Sequence, residues 1–345
     1  MLDVESQLLR RPGAYGGSTF SRLSLLWRQR LSLWLVVAVA AFAVLDVFLL
    51  VVYPRLEWHT RPHRYEYPNP NDYDKSEWVV PGRAGQAGQA GQAAGHARLS
   101  HLVMVAGHSI YVGGSEGKMS RQDAQDESHW FLEAAQKDQL PLFLGHIETG
   151  VRLAAQDERM LLLFSGGQTR EAAGRHSEAD SYYRVAAEAY TWWNMTEVSP
   201  SLAGRVDKES YARDSFENVL FSICRFRQLV GQYPSEITIV SFPFKEYRFS
   251  HLHREALRFP ASRFHFAHDH ADQGEIPVPD GELNGPRKQF ETDPYGCKPP
   301  LSTKKQGRDP FGLKHDYAET CPEMRDLFTY CGSSLYSGSL PWLNL

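Results

Sequence analysis

The distribution of apolar and polar positions divides the chain into unequal parts. From Leu31 to Val52 it reads LSLWLVVAVAAFAVLDVFLLVV, 22 residues whose sole charge is Asp46. A helix of that length rises roughly 33 Å, enough to cross a bilayer once. No later stretch matches it. The apolar runs that follow are shorter: Leu102–Ala106 (LVMVA), Met160–Phe164 (MLLLF) and Ile237–Phe242 (ITIVSF). Each is continuous rather than alternating, as expected of strands buried on both faces. Between them, helical spacing predicts helices over Ser128–Gln139, Leu144–Gln156, Ser177–Trp192, Asp214–Leu229 and Glu246–Leu257, the fourth with Phe216, Val219, Leu220, Ile223 and Phe226 on one face and Pro234 beyond its end. Buried strands separated by helices imply a mainly parallel sheet in an α/β, Rossmann-like three-layer sandwich.

The same pattern sets the domain organisation. Residues 1–30 form an N-terminal tail, 31–53 a transmembrane signal anchor, and 54–98 a flexible stalk that contains the repeat AGQAGQAGQAAG. The α/β domain spans 99–270, and 271–345, rich in Pro, Gly and charge at its start, form an irregular C-terminal extension wrapping it. Arg10, Arg11, Arg22, Arg28 and Arg30 precede the span, against Arg55, Arg61 and Arg64 after it. The bias places the N-terminus in the cytosol and the C-terminal domain in the lumen. A cleaved signal peptide is disfavoured, because the run starts thirty residues in and ends without a small-x-small site. The expectation is a single-pass protein of the endoplasmic reticulum, Golgi or cell surface, contacting the lipid bilayer through residues 31–52. Asn194-Met195-Thr196 is a glycosylation sequon on the lumenal side.

Composition adds exclusions. Of 345 residues, 37 are Lys or Arg and 41 are Asp or Glu, a net charge of −4, which argues against a nucleic-acid partner. Four cysteines are too few for a disulfide-built scaffold. In an oxidising lumen one pair among Cys297, Cys321 and Cys331 is expected, with Cys224 a buried free thiol on its helix. The mean hydropathy of −0.43 averages the apolar span with a polar remainder.

In open α/β sheets the ligand crevice lies at the carboxyl ends of the strands. Those ends here are Gly107 and His108, then Ser165–Thr169, then Pro243–Arg248. Ser165-Gly166-Gly167-Gln168-Thr169 offers close backbone approach and hydrogen-bonding side chains, suited either to an anion before a helix or to a plain strand-to-helix turn. Better-known motifs fail. Gly113–Met119 lacks the first glycine of a phosphate loop and has Met119 where a Mg²⁺-binding hydroxyl is needed, and Leu163–Gly167 lacks the first glycine of a nucleophile elbow. Phe264–His270, with Asp272 and Glu275, is read as a short final strand and polar turn in preference to a metal site; His251 and His253 are expected to be exposed.

Taken in order, Val103–His108, Leu162–Gly167, Ser177-Glu178-Ala179, Glu209, Arg213–Asn218 and Ile239–Arg248 resemble the YdcF, SanA and ElyC-like family (domain of unknown function 218) over roughly 99–260. The chain would be a membrane-anchored, eukaryotic-type member. The resemblance implies a Rossmann-like sheet and a small polar ligand that is nucleotide-like, S-adenosylmethionine-like or glycan-linked. It implies no agreed reaction, whether transferase or hydrolase. The ligand-binding candidates are Gly107, His108, Ser165, Gly166, Gly167, Glu178, Glu209, Asn218 and Arg248; S-adenosylmethionine is the one cofactor the resemblance suggests. One departure stands out: Lys245 occupies the position where the family commonly has a His, and lysine is a poor acid or base at neutral pH unless desolvated. Loss of turnover, leaving a non-catalytic scaffold or trafficking protein of the secretory pathway, is the alternative.

Overall fold

The structure is a computed structural model that describes residues 98–113, 118–269 and 278–344. The anchor expected at 31–53, the tail before it and all of the expected stalk but its last residue lie outside the described residues. Among the described residues, no helix is long and apolar enough to cross a membrane.

Among the described residues, seven strands occur in chain order: β1 (His101–Ala106), β2 (Ile110–Tyr111), β3 (Trp130–Phe131), β4 (Met160–Ser165), β5 (Val206–Glu209), β6 (Glu236–Val240) and β7 (Phe264–Ala267). Five form one sheet in the order β5-β4-β1-β6-β7, every pair parallel. β2 and β3 make a separate antiparallel ribbon. The fold is therefore Rossmann-like. The direction of winding reverses at β1, so the loops leaving β1 and β6 flank a switch point.

Alternate residues of β1 supply the two halves of the core. Leu102 and Met104 face α3 (Ser215–Val230), whereas Val103 and Val105 face α1 (Leu140–Gln156) and α2 (Glu178–Arg184). That two-sided burial is why the strand sequence shows no alternation of apolar with polar. α3 begins where the Asp214 carboxylate accepts the Glu217 amide at 2.8 Å and ends at Gly231, whose φ of 85° suits the left-handed cap.

Three helical readings change. The expected helix over Ser128–Gln139 is replaced by short 3₁₀ turns and β3, because Trp130 and Phe131 pair with Tyr111 and Ile110. The expected helix from Ser177 ends early: α2 continues as a π turn through Ala189, and Thr191–Asn194 then adopt left-handed φ values of 48° to 61°. The helix over Glu246–Leu257 is largely a π turn, Arg248–His253, and His253 is fully buried rather than exposed.

The largest change concerns the extension. Cys224 is not a free thiol: it is bonded to Cys321, and Cys297 to Cys331, with Cα–Cα separations of 5.7 and 5.6 Å. Tyr317, Met324, Leu327, Leu340 and Trp342 are buried against α3 and Phe259 in the same core cluster. Ahead of them in the chain runs α4 (Leu301–Gly307). The segment after residue 278 thus completes one face of the domain.

Candidate functional site

The loop leaving β1 opens the crevice. His108 stacks on Phe242 with ring centroids 4.8 Å apart and lies 5.4 Å from Phe143 and 5.6 Å from His146. Burial, and then the neighbouring Lys245, push its pKa well below 6.5, so the ring is neutral at physiological pH. Its two nitrogens face the loop leaving β6: Nε2 is 3.4 Å from Ser241 Oγ and Nδ1 is 3.3 Å from Lys245 Nζ.

Lys245 is the unusual group. Its amine sits deep among protein atoms, over the rings of Phe242 and Phe244 at 4.9 and 5.7 Å. Burial is the main cause, and the positive charge of Arg248 the next, that bring its pKa from 10.5 to about 7. The desolvation on which the chemistry of a lysine in this position depends is present.

Glu178 approaches from beyond the loop that leaves β4. It is the first residue of α2, capped by Ser177 Oγ, which accepts the Asp180 amide at 2.9 Å. Thr169 Oγ1 donates to Glu178 Oε1 at 2.6 Å. Burial raises the carboxyl pKa, against the opposing effects of that hydrogen bond and of Arg308. Gly107 and Gly166 make room for this side chain. A Cβ on Gly107 would meet Glu178 Cβ at 2.6 Å, and one on Gly166 would meet Glu178 Oε2 at 2.6 Å. Gly167 leaves room for the Ala212 carbonyl, which a Cβ there would meet at 2.7 Å.

This geometry settles how the loop's amides are used. Gly166 and Gly167 donate to the carbonyls of Glu209 and Ala212, and the amides of Glu178 and Ala179 donate to the carbonyls of Gly167 and Gly166. The first turn of α2 is closed by its own loop, so it presents a carboxylate rather than an anion cradle.

The remaining candidates form a layer beneath. Ser165 and Glu209 are 0% exposed and Asn218 8%. Ser165 Oγ donates to Glu209 Oε2 at 2.8 Å, and Asn218 Nδ2 donates to the Ser165 carbonyl at 2.8 Å. Glu209 also accepts the Tyr211 amide at 2.8 Å and the Ala212 amide at 3.3 Å, and the Tyr317 hydroxyl lies 3.4 Å away. Burial lifts its carboxyl to about 7. These bonds tie β4, β5, α3 and the extension together. Arg248 is likewise spoken for: its Nε and Nη2 donate to the two Glu282 oxygens at 2.7 and 2.9 Å, both side chains being buried. Asn194 lies apart from the crevice, exposed on the left-handed turn.

Of the nine candidates, the structure thus brings Gly107, His108, Gly166, Gly167 and Glu178 to the crevice, and sets Ser165, Glu209, Asn218 and Arg248 into internal networks. Sequence reasoning passed over Ser241 and Phe242, which follow an apolar strand and were legible from position.

No family model matches the chain, and no solved structure matches it. The sequence is similar to that of a Saccharomyces cerevisiae protein, YOR238W, itself described as uncharacterized: the two are 28% identical over 268 residues, covering 63% of this chain and 86% of the yeast protein.

Proposed function

We propose that this protein carries out acid–base chemistry, as a hydrolase or transferase, on a small polar ligand held at the carboxyl edge of the sheet. The observation that carries the proposal is Lys245 Nζ at 3.3 Å from the neutral ring of His108, in the same crevice as Glu178. An amine that titrates near 7 takes a proton from a water or hydroxyl nucleophile at physiological pH. The resulting ammonium returns that proton to the leaving group, and Glu178, whose carboxyl pKa is raised by burial, is a polar contact for the ligand. The lysine in place of the histidine common in the YdcF-like family is, on this reading, a substitution of one near-neutral base by another.

On the same reading the domain lies in the secretory lumen, behind a single-pass anchor at residues 31–53. All four cysteines are paired, as suits an oxidising compartment, and Asn194 of the sequon is exposed. An endoglycosidase-sensitive mass shift that disappears in Asn194→Gln is the expected result, and a protease-accessible domain in sealed microsomes would refute the orientation.

The activity is tested by titrating the full chain in detergent with S-adenosylmethionine, nucleotides and glycan precursors by calorimetry, and then assaying any ligand that binds for turnover. Binding or turnover lost in Lys245→Met and Glu178→Gln supports the reading. Indifference of every ligand to both changes would sink it.

A scaffold role draws on one observation: Ser165, Glu209, Asn218 and Arg248, all matching the family pattern, serve internal bonds. Binding without turnover, unaffected by Lys245→Met, is the outcome that favours it.

A further inference from the structure

The segment that carries Lys245 is one helical stretch. A 3₁₀ turn at Pro243–Lys245 runs through Glu246 and Tyr247, both with helical φ and ψ, into the π turn Arg248–His253. Lys245 and Arg248 are therefore three residues apart on a helix and share a face, their Cβ atoms about 5–6 Å from one another. The two cations are answered differently. Lys245 meets His108 and two rings. Arg248 uses all three nitrogens of its fork, Nε and Nη2 on Glu282 at 2.7 and 2.9 Å and Nη1 on Ser215 Oγ at the start of α3.

Glu282 belongs to the extension, and it does not reach the segment alone. The Arg287 guanidinium lies 3.7 Å from the centroid of the Tyr247 ring, and Phe290 meets His253 edge-on with ring centroids 4.5 Å apart. Three side chains of one short stretch, 282–290, thus line up along residues 247–253. Of the three, only Glu282 brings a charge opposite to that of Arg248. Both members of its pair are buried, where an unanswered charge acts most strongly on its neighbours.

We infer that Glu282 is a positioning residue for Lys245: it fixes the Arg248 guanidinium and cancels its charge on the helix face from which the amine works. The inference rests on the crevice reading given above and adds the extension to the machinery of that site. Like charges one turn apart disfavour each other, so without Glu282 the amine would hold its proton less readily. Arg308, of the same sign as Arg248, and Glu178, of the opposite sign, also act on the amine, and His108 beside it is neutral. None of these is altered in the test.

The test is competitive acetylation of the full chain in detergent with trace acetic anhydride across pH 5–11, the reaction at Lys245 being read by mass spectrometry against the exposed Lys314. The parent midpoint is expected at about 7. In Glu282→Gln it should fall by about 1 pH unit, whereas Glu282→Asp, which keeps the charge, should hold it near the parent value. Arg248→Met/Glu282→Leu removes the buried pair as a whole, the better tolerated change. Its midpoint should rise above the parent's, because Arg248 acts on the amine more strongly than Glu282. A merely structural role would loosen the segment and let water reach the amine, raising the midpoint of Glu282→Gln toward 10.5. That rise, or an unmoved midpoint, would overturn the role of Glu282; where that variant does not fold, an unmoved midpoint in the double variant does so. A parent midpoint near 10.5 would instead remove the near-neutral amine and the crevice reading with it, so the two failures are distinct.

Discussion

Replacing Lys245 by methionine should make the protein more stable while removing its function. In the unfolded chain the amine holds a proton below pH 10.5; in the folded chain it does so only below about 7. Between those values the unfolded state carries the extra proton, so this residue's contribution to stability rises with pH from about 7 to 10.5. Below 7 its handicap is complete. At about 1.4 kcal/mol per pH unit, the ceiling on that handicap is about 5 kcal/mol. The side chain is only half-buried and its contact with His108 is lost in the variant, so a gain of about 1–3 kcal/mol is the working figure.

For a domain of this size that gain corresponds to a melting temperature higher by about 2–10 °C at pH 6–7. Methionine fits because the lysine stem already lies on Phe242 and Phe244, and a thioether packs well against rings. Scanning calorimetry of the two proteins from pH 6 to 9 checks the reasoning. The difference should fall by about half at pH 9, where the unfolded lysine is still charged but by a smaller margin. A methionine variant that melts below the parent at pH 6–7, or a difference independent of pH, would refute the desolvated amine.

Two further outcomes follow from the packing. Gly107→Ala drives a methyl to 2.6 Å from Glu178 Cβ, so it should destabilise by about 1–3 kcal/mol and weaken ligand binding, whereas Gly204→Ala, with nothing within 4 Å, should leave both unchanged; urea titration compares them. The double change Cys224→Ala/Cys321→Ala releases a crosslink spanning 97 residues, for which chain entropy gives a limit of about 4.7 kcal/mol. A cost of about 2–4 kcal/mol, read from the shift in denaturant midpoint, is expected, and an unmoved midpoint would mean that the extension holds without the bond.

The parts of this fold that sequence made legible are those with one dominant physical cause. β1, β4 and β6 are buried on both faces and read as unbroken apolar runs; α3 has caps at both ends and a clean apolar face. β5 was missed because Val-Asp-Lys-Glu is an edge strand whose charges find partners across space, Lys208 on Asp180 and Asp207 on Arg225. The helix expected over Ser128–Gln139 yielded to the pairing of Trp130 and Phe131, a tertiary effect that outweighs local propensity. At the site, the Ser-Gly-Gly loop stood out but its purpose did not. Glycine next to a strand end suggests a ligand approaching the backbone, whereas here the approaching group is the protein's own Glu178. The cysteine pairing was beyond reach, since four cysteines admit several pairings and only proximity selects among them.

The extension and the crevice explain one another. A sheet of five parallel strands needs cover on both faces, and on the α3 side the cover includes Tyr317, Met324, Leu327 and Trp342, none more than 2% exposed. The same segment reaches the strand ends at two points: Tyr317 beside Glu209, and Glu282 on Arg248. Both contacts bury their partners and therefore position the loops that leave β5 and β6. A segment whose task was only to cover apolar surface would leave the buried Arg248 without its carboxylate, and a buried charge that loses its partner is strongly destabilising. The extension therefore sets the geometry of the strand ends as well as closing the core.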